Sequence, residues 1–390
     1  MTTPNANRLH IAFFGRCNSG KSSVINAISN QPAAIVSPTA GTTADPVLKP
    51  IEINPVGACV LIDTAGFDDT GELGKMRVAA AKKVIAKTDI AVMLFCGDDF
   101  SYEKKWLELL KNTPVVAVVN KSDEINAPEI AAKVKAELGL EPVCVSAKNG
   151  SGIESLKDAI VRAVPEDFSP QSITAHLCSE DDVVLLVMPQ DIQAPKGRLI
   201  LPQVQTIRDL LDNKCIVMSV TTDKLENALN SLKNPPKVII TDSQVFDTVY
   251  AKKPPESVLT SFSALFARYK GDIDLYVAGA EKIPELKQTD TVLIAEACSH
   301  MPLDGDIGRV KLPKMLRQIA GEGLKIENAA GTDFPSDLSK YALVIHCGGC
   351  MFNRKYVLSR VYSAKNQNVP VTNYGIAIAK IKGILDKIKY

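Results

Sequence analysis

The run Gly15-Arg16-Cys17-Asn18-Ser19-Gly20-Lys21-Ser22 sits between an apolar stretch, 9–14, and a helical stretch, 23–28. Glycines five apart let successive backbone N–H groups turn inward and close around phosphate oxygens at a helix N-terminus. Lys21 adds a cation that reaches the β- and γ-phosphates, and the Ser22 hydroxyl can ligate Mg2+. Ser19 and Ser23 belong to the same cradle. Asp63-Thr64-Ala65-Gly66 follows another apolar run, so Asp63 can hold the metal through water while the Gly66 amide meets the γ-phosphate. Gly41-Thr42-Thr43 lies in a polar loop where one threonine hydroxyl, Thr43 in preference to Thr42, would cover the Mg2+. Asn120-Lys121-Ser122-Asp123 supplies a carboxylate able to accept from both the ring N–H and the exocyclic amine of guanine, a pair adenine does not offer. Ser146-Ala147-Lys148 completes that base pocket. The expected ligand is GTP, turned over to GDP, with Lys21, Thr43, Asp63 and Gly66 nearest the chemistry.

A second set of residues lies near the C-terminus. Two of only four histidines stand beside cysteines, in Cys298-Ser299-His300 and His346-Cys347-Gly348-Gly349-Cys350. Each group follows an apolar run, 291–296 and 341–345. If both runs are strands of one parallel sheet, both groups emerge at its carboxyl edge and converge. The spacing of Cys347 and Cys350 lets two thiolates reach one metal, and the intervening glycines let the backbone wrap closely. Three thiolates and an imidazole suit tetrahedral zinc. Cys347 and Cys350 would also serve as a redox disulfide pair. A 4Fe-4S cluster on Cys298, Cys347 and Cys350 would leave one iron for an exchangeable ligand such as His300 or His346. The residues alone leave these three open.

The elements that must position both sets follow from periodicity. Strands are expected at 9–14, 58–62, 90–96, 115–119 and 142–145, with helices such as 75–87 and 103–111 between them, which predicts a mainly parallel sheet covered on both faces. Each nucleotide motif then falls at a strand's carboxyl end. The polar, proline-bearing stretch 164–170 reads as a linker. Beyond it, strands at 183–188, 215–220 and 237–241 alternate with helices at 203–212 and 222–232. The stretch 268–290 shows no clear strand; after it come strands at 291–296 and 341–345, helices at 312–320 and 353–363, and a helical tail over 376–389. The expectation is an α/β protein, a P-loop domain over 1–166 followed by two further α/β domains with mainly parallel sheets, 172–266 and 267–390.

At 390 residues, more than one core is needed. Lys plus Arg number 45 against 44 Asp plus Glu, so no net field favours nucleic acid as a partner. No apolar leader and no span of about 18 apolar residues is visible, so no membrane association and a cytoplasmic location are expected. Nine scattered cysteines argue for reduced thiols rather than a disulfide framework. Cys59, Cys96, Cys144 and Cys215 read as core, and His176 with Cys178 as incidental.

Two resemblances sharpen this reading. Phe67 stands where Ras-type regulatory GTPases carry the glutamine that positions water, so slow hydrolysis is expected. Asn18 together with the Gly41-Thr42-Thr43 loop resembles the TrmE/Era-like GTPases, in which that asparagine helps bind K+; this implies K+-stimulated turnover. Such a domain followed by Cys-x-His, 45 residues, then His-Cys-x-x-Cys resembles, over the whole chain, the maturation GTPases of FeFe-hydrogenase. That resemblance implies a GTPase domain, a dimerisation domain and a 4Fe-4S domain, in a homodimer or higher oligomer. It implies Cys298, Cys347 and Cys350 as cluster ligands, with His300 and His346 as motif members whose part in iron binding it does not fix. It further implies a scaffold that assembles or carries a di-iron precursor for apo FeFe-hydrogenase, with the radical-SAM maturases HydE and HydG upstream. The rival expectation is a TrmE/Era-like RNA-modification or ribosome-assembly GTPase with a structural zinc module.

Overall fold

The computed structural model describes residues 4–29, 46–69, 71–168, 172–189, 199–297 and 306–390. Thr42, Thr43, Cys298 and His300 lie outside the described residues. The chain divides into two compact units, Met1–Pro170 and Gln171–Tyr390.

In the first unit the order is β1 (Leu9–Gly15), α1 (Lys21–Ser29), β2 (Val47–Ile53), β3 (Gly57–Asp63), α2 (Gly71–Ile85), β4 (Ile90–Phe95), α3 (Ser101–Leu109), β5 (Val115–Val119), α4 (Ala127–Leu138), β6 (Val143–Cys144) and α5 (Ile153–Arg162). The sheet runs β2-β3-β1-β4-β5-β6, parallel except for the β2 edge. Every residue of β1 and of β4 is buried, the pattern of central parallel strands covered on both faces. Alternation sorts the side chains: Leu9, Ile11 and Phe13 pack in a core that includes Val24 of α1 and Leu156 of α5, whereas Ala12 and Phe14 face Trp106 of α3 and Val134 of α4. Strand order reverses about β1, with β3 on one side and β4 on the other. The loop leaving β1 therefore opens into the crevice where such sheets bind ligands.

The second unit holds two four-stranded sheets. The first is built from β7 (Val183–Val187), α6 (Leu201–Asp212), β8 (Ile216–Val220), α7 (Leu225–Ser231), β9 (Val238–Thr241), α8 (Phe246–Lys252) and β10 (Val258–Ser261), in the order β10-β9-β7-β8. Then come α9 (Phe262–Lys270) and α10 (Ile273–Ala280). The second sheet contains β11 (Thr291–Ala295), α11 (Leu312–Ala320), β12 (Lys325–Ala329), β13 (Leu343–His346), α12 (Arg354–Asn366), β14 (Val371–Asn373) and α13 (Tyr374–Ile381), in the order β12-β11-β13-β14. All pairings in both sheets are parallel.

Helix α9 is shared between cores. Phe262, Leu265 and Phe266 pack with Val184, Leu186 and Ile240 of the first sheet. Ala264 and Ala267 join a single large core that runs from Leu185 and Ile239 to Val292, Ile294 and Ile345 of the second. The border expected at 266/267 falls inside this helix. The expected helical tail over 376–389 is shorter: α13 stops at Ile381, Gly383 turns the chain at φ +66°, and one 3-10 turn follows at Leu385–Lys387. Among the described residues no helix is long and apolar enough to cross a membrane.

Candidate functional site

After β1 the loop enters the left-handed region at Asn18 (φ +61°) and Gly20 (φ +87°), which turns backbone amides toward its interior. A Cβ at Gly20 would overlap the Asn120 amide, so a side chain there would drive the phosphate loop and the base-reading loop apart. Lys21 is buried at the head of α1, and its Nζ donates to the Gly15 and Arg16 carbonyls at 3.1 and 2.8 Å. Burial pushes its ammonium pKa down, against the field of Asp63. Ser22 Oγ donates to the Asp63 carboxylate, joining the two expected Mg2+ residues. Burial raises the Asp63 carboxyl, and the Ser22 bond and Lys21 oppose that shift. Two buried oxygens, Ser19 Oγ and Asp63 Oδ1, have no hydrogen-bond partner among the described residues. That fits a site whose phosphate and hydrated Mg2+ satisfy them.

The end of the Asp63–Gly66 segment is tied to the same loop. Phe67 N donates to Gly15 O at 3.4 Å, Cys17 N donates to Asp68 Oδ1 at 2.6 Å, and a Cβ on Gly66 would collide with Cys17. Phe67 is buried and stacks on Trp106 and Tyr102, with ring centroids 5.3 and 6.2 Å apart. Sequence reasoning missed the next link. Arg16 Nε donates to the buried Glu103 at 3.0 Å, its Nη2 meets Asp99 at 2.9 Å, and its guanidinium lies over Tyr102. Nothing in the phosphate-loop pattern marks Arg16 for this role, since its partners are more than 80 residues away.

At the base end, Asn120 Nδ2 donates to Ser19 O at 2.9 Å and its Oδ1 accepts from Ala147 N at 3.3 Å. Ser146 Oγ donates to Asp123 Oδ1 at 2.6 Å, the main reason the Asp123 carboxyl sits below its ordinary value. Lys148 lies 3.8 Å from the same carboxylate, and Lys121 adopts φ +63°. The structure thus brings together Asn18, Ser19, Lys21, Ser22, Asp63, Gly66, Asn120, Asp123, Ser146 and Ala147 around one crevice. Ser23 is exposed on the first turn of α1.

The cysteine loop sits at the carboxyl edge of the last sheet. Strands β11 and β13 are neighbours in register, Ala295 opposite His346, so the two runs expected to converge do emerge side by side. Cys347 N donates to Ala295 O at 2.8 Å. The Cys347 sulfur accepts from Ala297 N at 3.0 Å and Gly349 N at 3.4 Å, which stabilises thiolate character and suits a metal-bound sulfur. Gly349 is at φ +62°. Among the described residues no group of three or more His, Cys, Asp or Glu stands close enough to hold a metal.

His346 is fully inside. Its Nδ1 donates to the Cys347 carbonyl at 2.7 Å, so Nε2 is the acceptor facing Arg360 Nη1 at 3.3 Å. Burial and then Arg360 push the imidazole down to about 4. The Arg360 guanidinium is itself caged by Phe334, Phe352 and Tyr356, 4.6–4.9 Å from each ring centre. Both ring nitrogens of His346 are therefore engaged within the protein. Lys270, from α9, reaches the same loop: its Nζ donates to the carbonyls of Gly349, Cys350 and Phe352 at 3.2, 3.3 and 2.8 Å.

The strand order and the crevice around Gly15–Ser22 and Asn120–Asp123 define a P-loop GTPase domain. Residues 10–121 match the family model of the 50S ribosome-binding GTPase. Residues 173–271 match the hydrogen maturase F dimerization domain, and 274–389 the hydrogen maturase F tetramerization domain. The chain belongs to the hydrogen maturase F family, a TrmE-like GTPase domain fused to the two domains of that family. Curated relatives include the tRNA modification GTPase MnmE of Paraburkholderia xenovorans, 32% identical over 182 residues, covering 46% of this chain and 39% of that protein. MnmE of Burkholderia cenocepacia is 34% identical over 187 residues, 47% of this chain and 40% of the relative. The chain thus spans about two fifths of the length of the curated relatives it matches. Among solved structures, Era from Aquifex aeolicus bound to GDP.AlF4- is similar at 20% identity and a TM-score of 0.37, over 57% of this chain and 97% of that one.

Proposed function

We propose that this chain is a cytoplasmic, GTP-hydrolysing iron–sulfur scaffold that assembles or delivers a di-iron precursor to apo FeFe-hydrogenase. In this reading GTP and Mg2+ occupy the crevice, with Lys21 and the loop amides on the phosphates, Ser22, Asp63 and Thr43 at the metal, and Asp123 on the guanine. Asn18 supports a K+ ion near the phosphates, where a fixed positive charge offsets the charge that builds on the phosphoryl oxygens. Residues 1–166 act as the switch, 172–266 as the dimerisation domain and 267–390 as the cluster domain, in a homodimer or higher oligomer. HydE and HydG are the upstream partners.

The observation that carries the cluster half is the Ala297 N–H on the Cys347 sulfur, which brings the residue before Cys298 against one thiol of the Cys347/Cys350 pair. Cys298, Cys347 and Cys350 would hold a 4Fe-4S cluster, which would supply an iron whose fourth ligand can exchange. The protein orients Cys347 through two backbone amides. Anaerobic purification tests this reading. A brown protein with about four irons per chain supports it. A colourless protein with one zinc would instead favour an RNA-modification GTPase with a structural metal module.

A further inference from the structure

The least expected group in the second unit is the Lys270 ammonium. It is buried at the end of α9 with 2% of its surface exposed, and among the described residues no carboxylate accepts from it; its acceptors there are three backbone carbonyls of the loop that carries the two thiols. Taking an ammonium out of water costs several kcal/mol, and an apolar side chain would fill the same space without that cost. The charge-assisted bonds to carbonyl oxygens are what the lysine gains in return. The peptides it grips are informative. The Gly349 and Cys350 carbonyls point at Lys270, which turns the N–H groups of the same two trans peptide units, those of Cys350 and Met351, away from the ammonium. Gly349 N, one peptide earlier, faces the Cys347 sulfur. A single cation thus orients consecutive peptide dipoles of the loop that carries both sulfurs.

We infer that Lys270 is a positioning residue, which holds the Cys347–Cys350 loop in its ligating shape from α9 and places a positive charge beside the metal centre that the loop carries. The inference deepens the scaffold reading and rests on it for the identity of that centre. A positive charge near a cluster favours the more negative, reduced form. Removing the charge shifts the midpoint potential to more negative values, and an arginine restores it.

The experiment uses the full chain as wild type, Lys270→Met, Lys270→Arg and Lys270→Gln. In metal-free protein, hydrogen exchange of the amides of residues 347–352 is expected to be roughly tenfold faster in Lys270→Met, from the loss of charge-assisted bonds, with exchange in β7 and β11 unchanged. Lys270→Arg returns toward wild type. In anaerobically loaded protein, Lys270→Met shifts the midpoint potential negative. Lys270→Gln, which keeps a donor without the charge, falls between wild type and Lys270→Met in loop exchange and shows the shifted potential, which decides the question if the methionine variant does not fold. Loop exchange in Lys270→Met equal to wild type, or a potential unmoved in both Lys270→Met and Lys270→Gln, would overturn the inference. Should wild type take up no iron at all, the cluster reading falls by itself, and the metal-free exchange contrast still decides the role of Lys270.

Discussion

Asn120 spans the nucleotide crevice from within the protein, its amide nitrogen 2.9 Å from the Ser19 carbonyl and its amide oxygen on the Ala147 N–H. One side chain thereby joins the phosphate loop to both segments that read the base. Asn120→Ala removes the joint. Affinity for GDP and GTP should fall together by roughly tenfold or more, the scale of one or two buried hydrogen bonds. Titration with a fluorescent guanine nucleotide checks this, and selective loss of only GTP would contradict it.

Asp123 offers two carboxylate oxygens, one steadied by Ser146. Asp123→Asn exchanges one acceptor for a donor, so the exocyclic amine of guanine loses its partner. A bidentate base contact is worth about 1–3 kcal/mol, so GTP should bind roughly 10- to 100-fold more weakly while xanthosine triphosphate gains. Competition between the two nucleotides measures the exchange.

Asn18 holds a left-handed backbone and an exposed amide at the mouth of the phosphate loop. If it serves a K+ ion, phosphate release from GTP is faster in KCl than in NaCl at equal ionic strength, and Asn18→Ala abolishes the difference while leaving GDP affinity nearly intact. Equal rates of wild type in both salts would remove the ion from the mechanism.

Cys347→Ser and Cys350→Ser should each lose most bound iron after anaerobic reconstitution and keep wild-type GTP turnover. His346→Asn, which preserves a donor toward the Cys347 carbonyl, should keep its iron, because the His346 ring nitrogens are occupied by that carbonyl and by Arg360. Iron counting on the three variants separates the roles; iron loss in His346→Asn equal to that in Cys347→Ser would make the imidazole a ligand after all.

Phe67 is buried between Trp106 and Tyr102. Phe67→Ala opens a cavity beneath the Asp63–Gly66 segment and should cost about 3–5 kcal/mol in the first unit. Calorimetry of the full chain should show the transition that nucleotide stabilises moving down, with the other transition unshifted.

The nucleotide site was readable because its residues come in short runs, each at the end of an apolar strand, and the local pattern carries both the strand and the motif. Gly15–Ser22 after β1 and Asn120–Asp123 after β5 are of this kind. Convergence of β11 and β13 was likewise foreseeable, since each run is apolar throughout and ends in a cysteine or histidine group. Four strands are hidden in the sequence for physical reasons. Val47–Ile53 is a mostly exposed antiparallel edge carrying Pro50, Val258–Ser261 is four residues wedged between Pro254-Pro255 and a helix, Lys325–Ala329 is mostly exposed, and Val371–Asn373 is three residues long. Helix α10 was obscured by Gly279, which in the fold is required because a Cβ there would strike the Val371 backbone. Lys270 reads in sequence as a surface cation at a helix C-terminus; only tertiary packing turns it inward, to partners 79–82 residues away.

Helix α9 ends in that lysine, four residues before the family's tetramerization region begins at 274. A polypeptide cut at that border would keep both thiols of the loop and leave behind the ammonium that grips the loop backbone, together with the α9 alanines that belong to the same core as β11 and β13. The sulfur-bearing end of the molecule is thus incomplete without its neighbour. Recombination between relatives at the apparent seam would pair a loop with a foreign cation, or with none.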